Sequence, residues 1–66
     1  MDTMTITAND VRVGDVINFP HQTSTGIEHR RVTVSYILEY PENRVLYFAE
    51  GALGVADRRA QISRWA

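Results

Sequence analysis

Cysteine and lysine are both absent from this 66-residue chain. Without cysteine there is no disulfide to staple a small domain, and no thiolate to bind metal or attack a substrate. There is no run of about 18 apolar residues of the kind a membrane-spanning helix needs. The opening stretch, MDTMTITAND, holds neither a basic region nor an apolar one, so it does not read as a secretory signal and a cytoplasmic location is expected. An excess of one charge is missing too. Seven arginines face eight carboxylates, for a net charge of −1, which provides no overall field steering the chain toward nucleic acid or anionic lipid. A chain this short is expected to form one domain over residues 1–66, and it buries only about 60% of the surface its unfolded form exposes. Pairing with a second copy is one way to thicken so thin a core, so a homodimer is among the expectations.

What is present is a period-two pattern nearly throughout. Arg31 to Tyr40 is its clearest stretch: Val32, Val34, Tyr36, Leu38 and Tyr40 alternate with Thr33, Ser35 and Glu39, and Ile37 is the one exception. β-Branched and aromatic residues dominate it, as in a half-buried antiparallel strand. Tyr40-Pro41-Glu42-Asn43 reads as a tight turn, with proline presetting the first corner and Asn43 suited to a left-handed position. Arg44 to Glu50 is the return strand. It is apolar on both faces, Val45, Tyr47 and Ala49 on one and Leu46 and Phe48 on the other, so it is either central or partnered on its second face.

Upstream, Ile6 to Ala8 reads as a short strand, and Val11 to Phe19 as a longer one interrupted at Gly14-Asp15, where glycine marks a bend. Pro20 should end that strand and leave residues 20–29, PHQTSTGIEH, as a long polar loop. Residues 55–66 are ambiguous. A closing strand from about Arg59 to Trp65 is preferred, with a helix capped by Asp57 as the alternative. The fold class expected is all-β, a small SH3-like barrel of four to five short antiparallel strands, because short strands must curl to hide their edges. The stretch NDVRVGDVINF, Asn9 to Phe19, resembles the strand entry of many small SH3-like barrels, and with the later hairpin the likeness covers most of the chain. Actinobacteria and their phages encode many such barrels, and the resemblance implies a small accessory protein of that kind. The all-arginine basic set is read first as the high-GC codon usage of such genomes, because the arginines are scattered along the chain, with selection for the planar guanidinium at a contact surface as the second reading.

Chemistry-bearing clusters are few. His21 and His29 flank the polar loop with Glu28 beside the second, but a zinc site needs three or four converging ligands. Ser24, His21 and His29 hold the atoms of a nucleophile and base without any nucleophile elbow or phosphate-binding glycine loop. A small barrel is also filled by its own side chains. No catalytic role, cofactor or metal is therefore assigned, and the chain is read as a non-enzyme, with an enzyme built on that loop as the most distant alternative. Arginine beside aromatics is the feature that most suggests contact with another molecule. Arg30, Arg31, Tyr40, Arg58, Arg59 and Arg64 are the candidate partner-binding residues, with a protein partner preferred over nucleic acid. Trp65 is expected to plug the core, since large apolar groups are scarce.

Overall fold

The computed structural model describes residues 2–66. Six strands make one antiparallel sheet: β1 (Thr3–Thr7), β2 (Val16–Thr23), β3 (Gly26–Glu39), β4 (Asn43–Phe48), β5 (Leu53–Asp57) and β6 (Gln61–Trp65). Their spatial order is β1-β6-β2-β3-β4-β5, curled into a half-barrel. No α-helix occurs among the described residues; a three-residue 3₁₀ turn, Ala8–Asp10, follows β1. The all-β expectation holds with six strands in place of four or five. Residues 55–66 are strand on both sides of a short turn, so the helical alternative is set aside.

β3 is the backbone of the architecture. Its first half pairs with β2 and its second half with β4, so this one 14-residue strand carries the chain from one side of the half-barrel to the other. The bend lies at Ser35. Val34 pairs with Phe48 while Tyr36 pairs with Tyr47, a register shift that leaves Ser35 as the extra residue of a bulge. A bulge moves all later side chains to the opposite face. Ile37, the exception in the alternation, therefore turns inward with Leu46 and Gly54, its register partners in turn. Tyr36 turns outward and is 56% exposed, where the uninterrupted alternation would have placed it in the core.

Two other local expectations are corrected. Pro20 does not end β2, which runs on to Thr23; residues 20–29 form a β-ribbon closed by the two-residue turn Ser24-Thr25, with Thr23 opposite Gly26. β6 pairs with β2 only at Ile17 and Asn18, so Pro20 lies where one side of β2 is unflanked and its missing N–H need not break a ladder. Within the turn the Thr23 hydroxyl donates to the Gly26 carbonyl at 2.9 Å, and Gly26 adopts a φ of +137°. Asn43 is not left-handed either. No residue other than glycine has positive φ among those described; the turn closes through the Tyr40 N–H on the Asn43 carbonyl at 3.0 Å, and Asn43 begins β4. At the expected bend, Gly14 has a φ of +97°, and its N–H reaches the Val34 carbonyl, tying the entry of β2 onto β3.

The core is small: Ala8, Val11, Ile17, Val32, Val34, Leu46, Phe48, Ala56 and Ile62, with Ile6, Phe19, Ile37 and Ala60 packed against it. The two ends of the half-barrel close differently. At one end the 3₁₀ turn folds over, its Ala8 and Asn9 N–H groups bonding the carbonyls of Ala60 and Arg58. At the other, Phe19 of β2 lies flat against β5, which is possible because residue 54 is glycine: a Cβ there would overlap the Phe19 ring.

Candidate functional site

Arginine 44 sits where the strand alternation puts an apolar side chain, in line with Leu46 and Phe48, and it is 7% exposed. Its guanidinium reaches under the 3₁₀ turn. Nη1 donates to the carbonyls of Ala8 at 2.6 Å, Asn9 at 3.2 Å and Val11 at 2.8 Å. Nε and Nη2 hold both oxygens of Glu39, at 2.9 and 2.8 Å. This planar fork, a geometry lysine lacks, adds donors to carbonyls of the short turn, where the Ala8 carbonyl otherwise has only the Val11 N–H at 3.3 Å. Arg58 completes the network, donating to Glu39 at 3.0 Å, the Asn9 side-chain oxygen at 2.8 Å and the Tyr40 carbonyl at 2.8 and 3.0 Å. Chiefly through the Arg44 hydrogen bonds the Glu39 carboxyl is held below the ordinary range; desolvation opposes this, and the Arg44 charge and then Arg58 add to the lowering. This end of the barrel is sealed.

The opposite end is open. There the β2–β3 ribbon projects past the sheet, and its concave face carries Phe19, His21, Glu28 and Arg30, since Phe19 pairs with Arg30 and His21 with Glu28. Phe19, His21 and Arg30, together with the turn after β4, border a cleft of about 310 Å³. Phe19, Val32, Phe48 and Leu53 make its apolar walls, and His21, Arg30 and Glu50 its polar rim. The Phe19 and Phe48 rings meet at 5.2 Å between centroids with a 57° tilt, the oblique arrangement that aromatic quadrupoles favour. Glu50 is fixed by accepting the Thr33 N–H at 3.0 Å. Arg30 has only an ion pair with Glu28 at 3.2 Å, both side chains more than half exposed, and such a pair is worth well under about 1 kcal/mol.

The candidate contact residues are thus distributed over four places. Arg30 lines the cleft. Arg31, although adjacent in sequence and bordering the cleft, sends its guanidinium to the convex face, 4.2 Å from the centre of the Trp65 ring. Arg58 is committed to the sealed end, where Tyr40 and Arg59 stand at the rim, Tyr40 49% exposed and Arg59 open to solvent. Arg64 approaches Asp15 at 4.0 Å and the Met4 sulfur at 2.9 Å. Trp65 is not the core plug anticipated. It is half-buried outside the core cluster, on the face opposite Ile62, and its indole N–H donates to the Asn18 side-chain oxygen at 2.8 Å. His21 and His29 do not converge: pairing His29 with Pro20 and His21 with Glu28 sends them to opposite faces of the ribbon.

Sequence reasoning missed Arg44, Phe19 and Gly54 as organising residues. Arg44 was detectable, because a charge in phase with Leu46 and Phe48 must find buried partners. The packing of Phe19 on Gly54 carries no such signal, since it joins strands that are not neighbours in the sheet. No protein-family model matches this chain, and neither does any curated protein or solved structure.

Proposed function

We propose that the chain is a non-enzymatic binding module of the SH3-like barrel type, and that it captures an exposed segment of a protein partner in the cleft at the open end. The meander β2 to β5, with β6 returning beside β2, supports the barrel reading. The observation that carries the function is the pairing of an apolar aromatic floor with an arginine left without a strong internal partner. The segment that fits has a large apolar side chain to lie on Phe19 and Phe48 and a carboxylate beside it for Arg30, a charge-assisted bond in a partly dry cleft. A volume of about 310 Å³ suits one or two side chains, at the low end of ligand pockets. The remaining arginines do not line up into a track for phosphates, which disfavours nucleic acid.

Panning a random peptide library on the immobilised protein tests this. Enriched peptides should place Asp or Glu next to an aromatic or Leu, and Arg30→Glu should weaken them at least tenfold, about 1.4 kcal/mol, while leaving the melting temperature unchanged. Peptides without that pairing, or binding indifferent to Arg30→Glu, contradict the proposal. Salt-sensitive retention of a single-stranded oligonucleotide in place of peptides replaces it.

A further inference from the structure

The convex face of the β3-β4-β5 half is apolar over two adjacent rows, with Asp57 of β5 and Arg31 of β3 on the same side but outside those rows. Register fixes its composition: Tyr36, Tyr47 and Leu53 make one row across the three strands, and Leu38, Val45 and Val55 make the next. Tyr36 is 56%, Leu53 54% and Val55 61% exposed, and the Tyr36 and Tyr47 rings support each other at 5.9 Å. The inward rows behind it already fill the core, so nothing in the fold covers this face. We infer that a second copy of the chain covers it, forming a two-fold symmetric dimer by face-to-face packing of the β3-β4-β5 sheets.

Three observations select a second copy. The first is shape. The Tyr36 row is bulky and the Leu38 row slimmer, so a two-fold axis running across the strands lays Tyr36 on the partner's Leu38, Tyr47 on its Val45, and Leu53 on its Val55. Large against small at each position is what lets two sheet faces interdigitate about 10 Å apart, and a two-fold interface must be self-complementary in this way. The second is area. Tyr36, Leu53, Val55 and, at the margin, Tyr40 are each about half exposed or more, and two such faces together approach the roughly 1,000 Å² that a specific interface needs. The third is charge: the six residues of the two rows are uncharged, Asp57 lies beyond them at the end of β5, and a net charge of −1 per chain leaves little repulsion between copies. The cleft lies at the open end and shares Leu53 with this face, so the dimer presents two clefts at its margin, and the two proposals are tested at residues they do not share.

Sedimentation equilibrium over protein concentrations up to about 1 mM, in the range where an interface of this size associates, tests the dimer. Wild-type protein should approach twice the chain mass. Tyr36→Asp and Val55→Asp, both at exposed positions outside the cleft, should each raise the dimer dissociation constant at least 100-fold. Their amide NMR spectra should stay folded, and peptide capture at the cleft should persist. A wild-type monomer at the highest concentration overturns the inference, as does a dimer that survives both substitutions. If one variant unfolds, the other decides.

Discussion

The two ends of this half-barrel use the same residue type to opposite purposes. At the sealed end Arg44 and Arg58 donate eight hydrogen bonds between them to Glu39, Asn9, Tyr40, Ala8 and Val11, with the Asn9 carbonyl as a longer ninth acceptor contact. At the open end Arg30 has a single solvent-screened pair. A guanidinium buried among carbonyls is structural, because removing it strands acceptors that water cannot reach. A guanidinium at the rim of an aromatic cleft has its donors available to something else. Arginine content by itself says nothing about which role a given arginine plays; burial and partner count decide it.

Breaking the sealed end should have the largest effect. Arg44→Ala leaves the Val11 carbonyl without its donor and the Ala8 carbonyl with only the long bond from the Val11 N–H, and it releases the 3₁₀ turn, with an expected loss of about 3 kcal/mol or more. A domain with so few buried side chains should then be largely unfolded at 37 °C in a thermal melt followed by circular dichroism. Arg44→Lys should recover little, since a single ammonium cannot serve the carbonyls and both Glu39 oxygens together. Next comes Gly54→Ala, where the added methyl displaces the Phe19 ring. Overpacking of this kind should lower stability by about 1–3 kcal/mol in a denaturant titration, and the ring's movement should reshape the cleft and weaken peptide capture as well.

Trp65→Ala should have a smaller effect, about 1–2 kcal/mol, made of one hydrogen bond to Asn18 and the Arg31 stacking. A loss of about 4 kcal/mol, as for a buried aromatic, would return Trp65 to the core. The smallest effect concerns pH. The Glu39 carboxyl titrates below its ordinary value of 4.5 in the folded chain. Its contribution is therefore present above about pH 4.5 and fades as pH falls through the lower folded-state value. Melting temperature against pH should decline more steeply in the acid range for the natural chain than for Glu39→Gln. Parallel curves would show that the sealed end does not depend on that carboxylate.

Period-two alternation was enough to find the part of β3 from Arg31 onward, β4 and the Tyr40–Asn43 turn, because each strand hides one face and shows the other. It also showed that β4 is apolar on both faces, which the structure resolves into the core row and the uncovered Tyr47 and Val45. What alternation cannot carry is a bulge. Ser35 looks like any outward polar residue, yet it inverts the faces of Tyr36 and Ile37. Pro20 misled for a related reason: proline ends a strand flanked on both sides, and β2 is flanked there by β3 alone. The cleft was half visible. Arg30 was named from sequence, but Arg31 beside it could not be separated from it until the strand pairing assigned the two to opposite faces. Phe19 joined the site only through its packing on Gly54, a contact between strands far apart in the sheet.

The contrast between the ends is tested most directly by amide NMR mapping of the protein titrated with a panned peptide that pairs a carboxylate with an aromatic residue. Shifts should concentrate at Phe19, His21, Arg30, Phe48 and Leu53, and the amides of Ala8 to Val11, Arg44 and Arg58 should stay still. Shifts centred on the sealed end, with the cleft unmoved, would contradict the account.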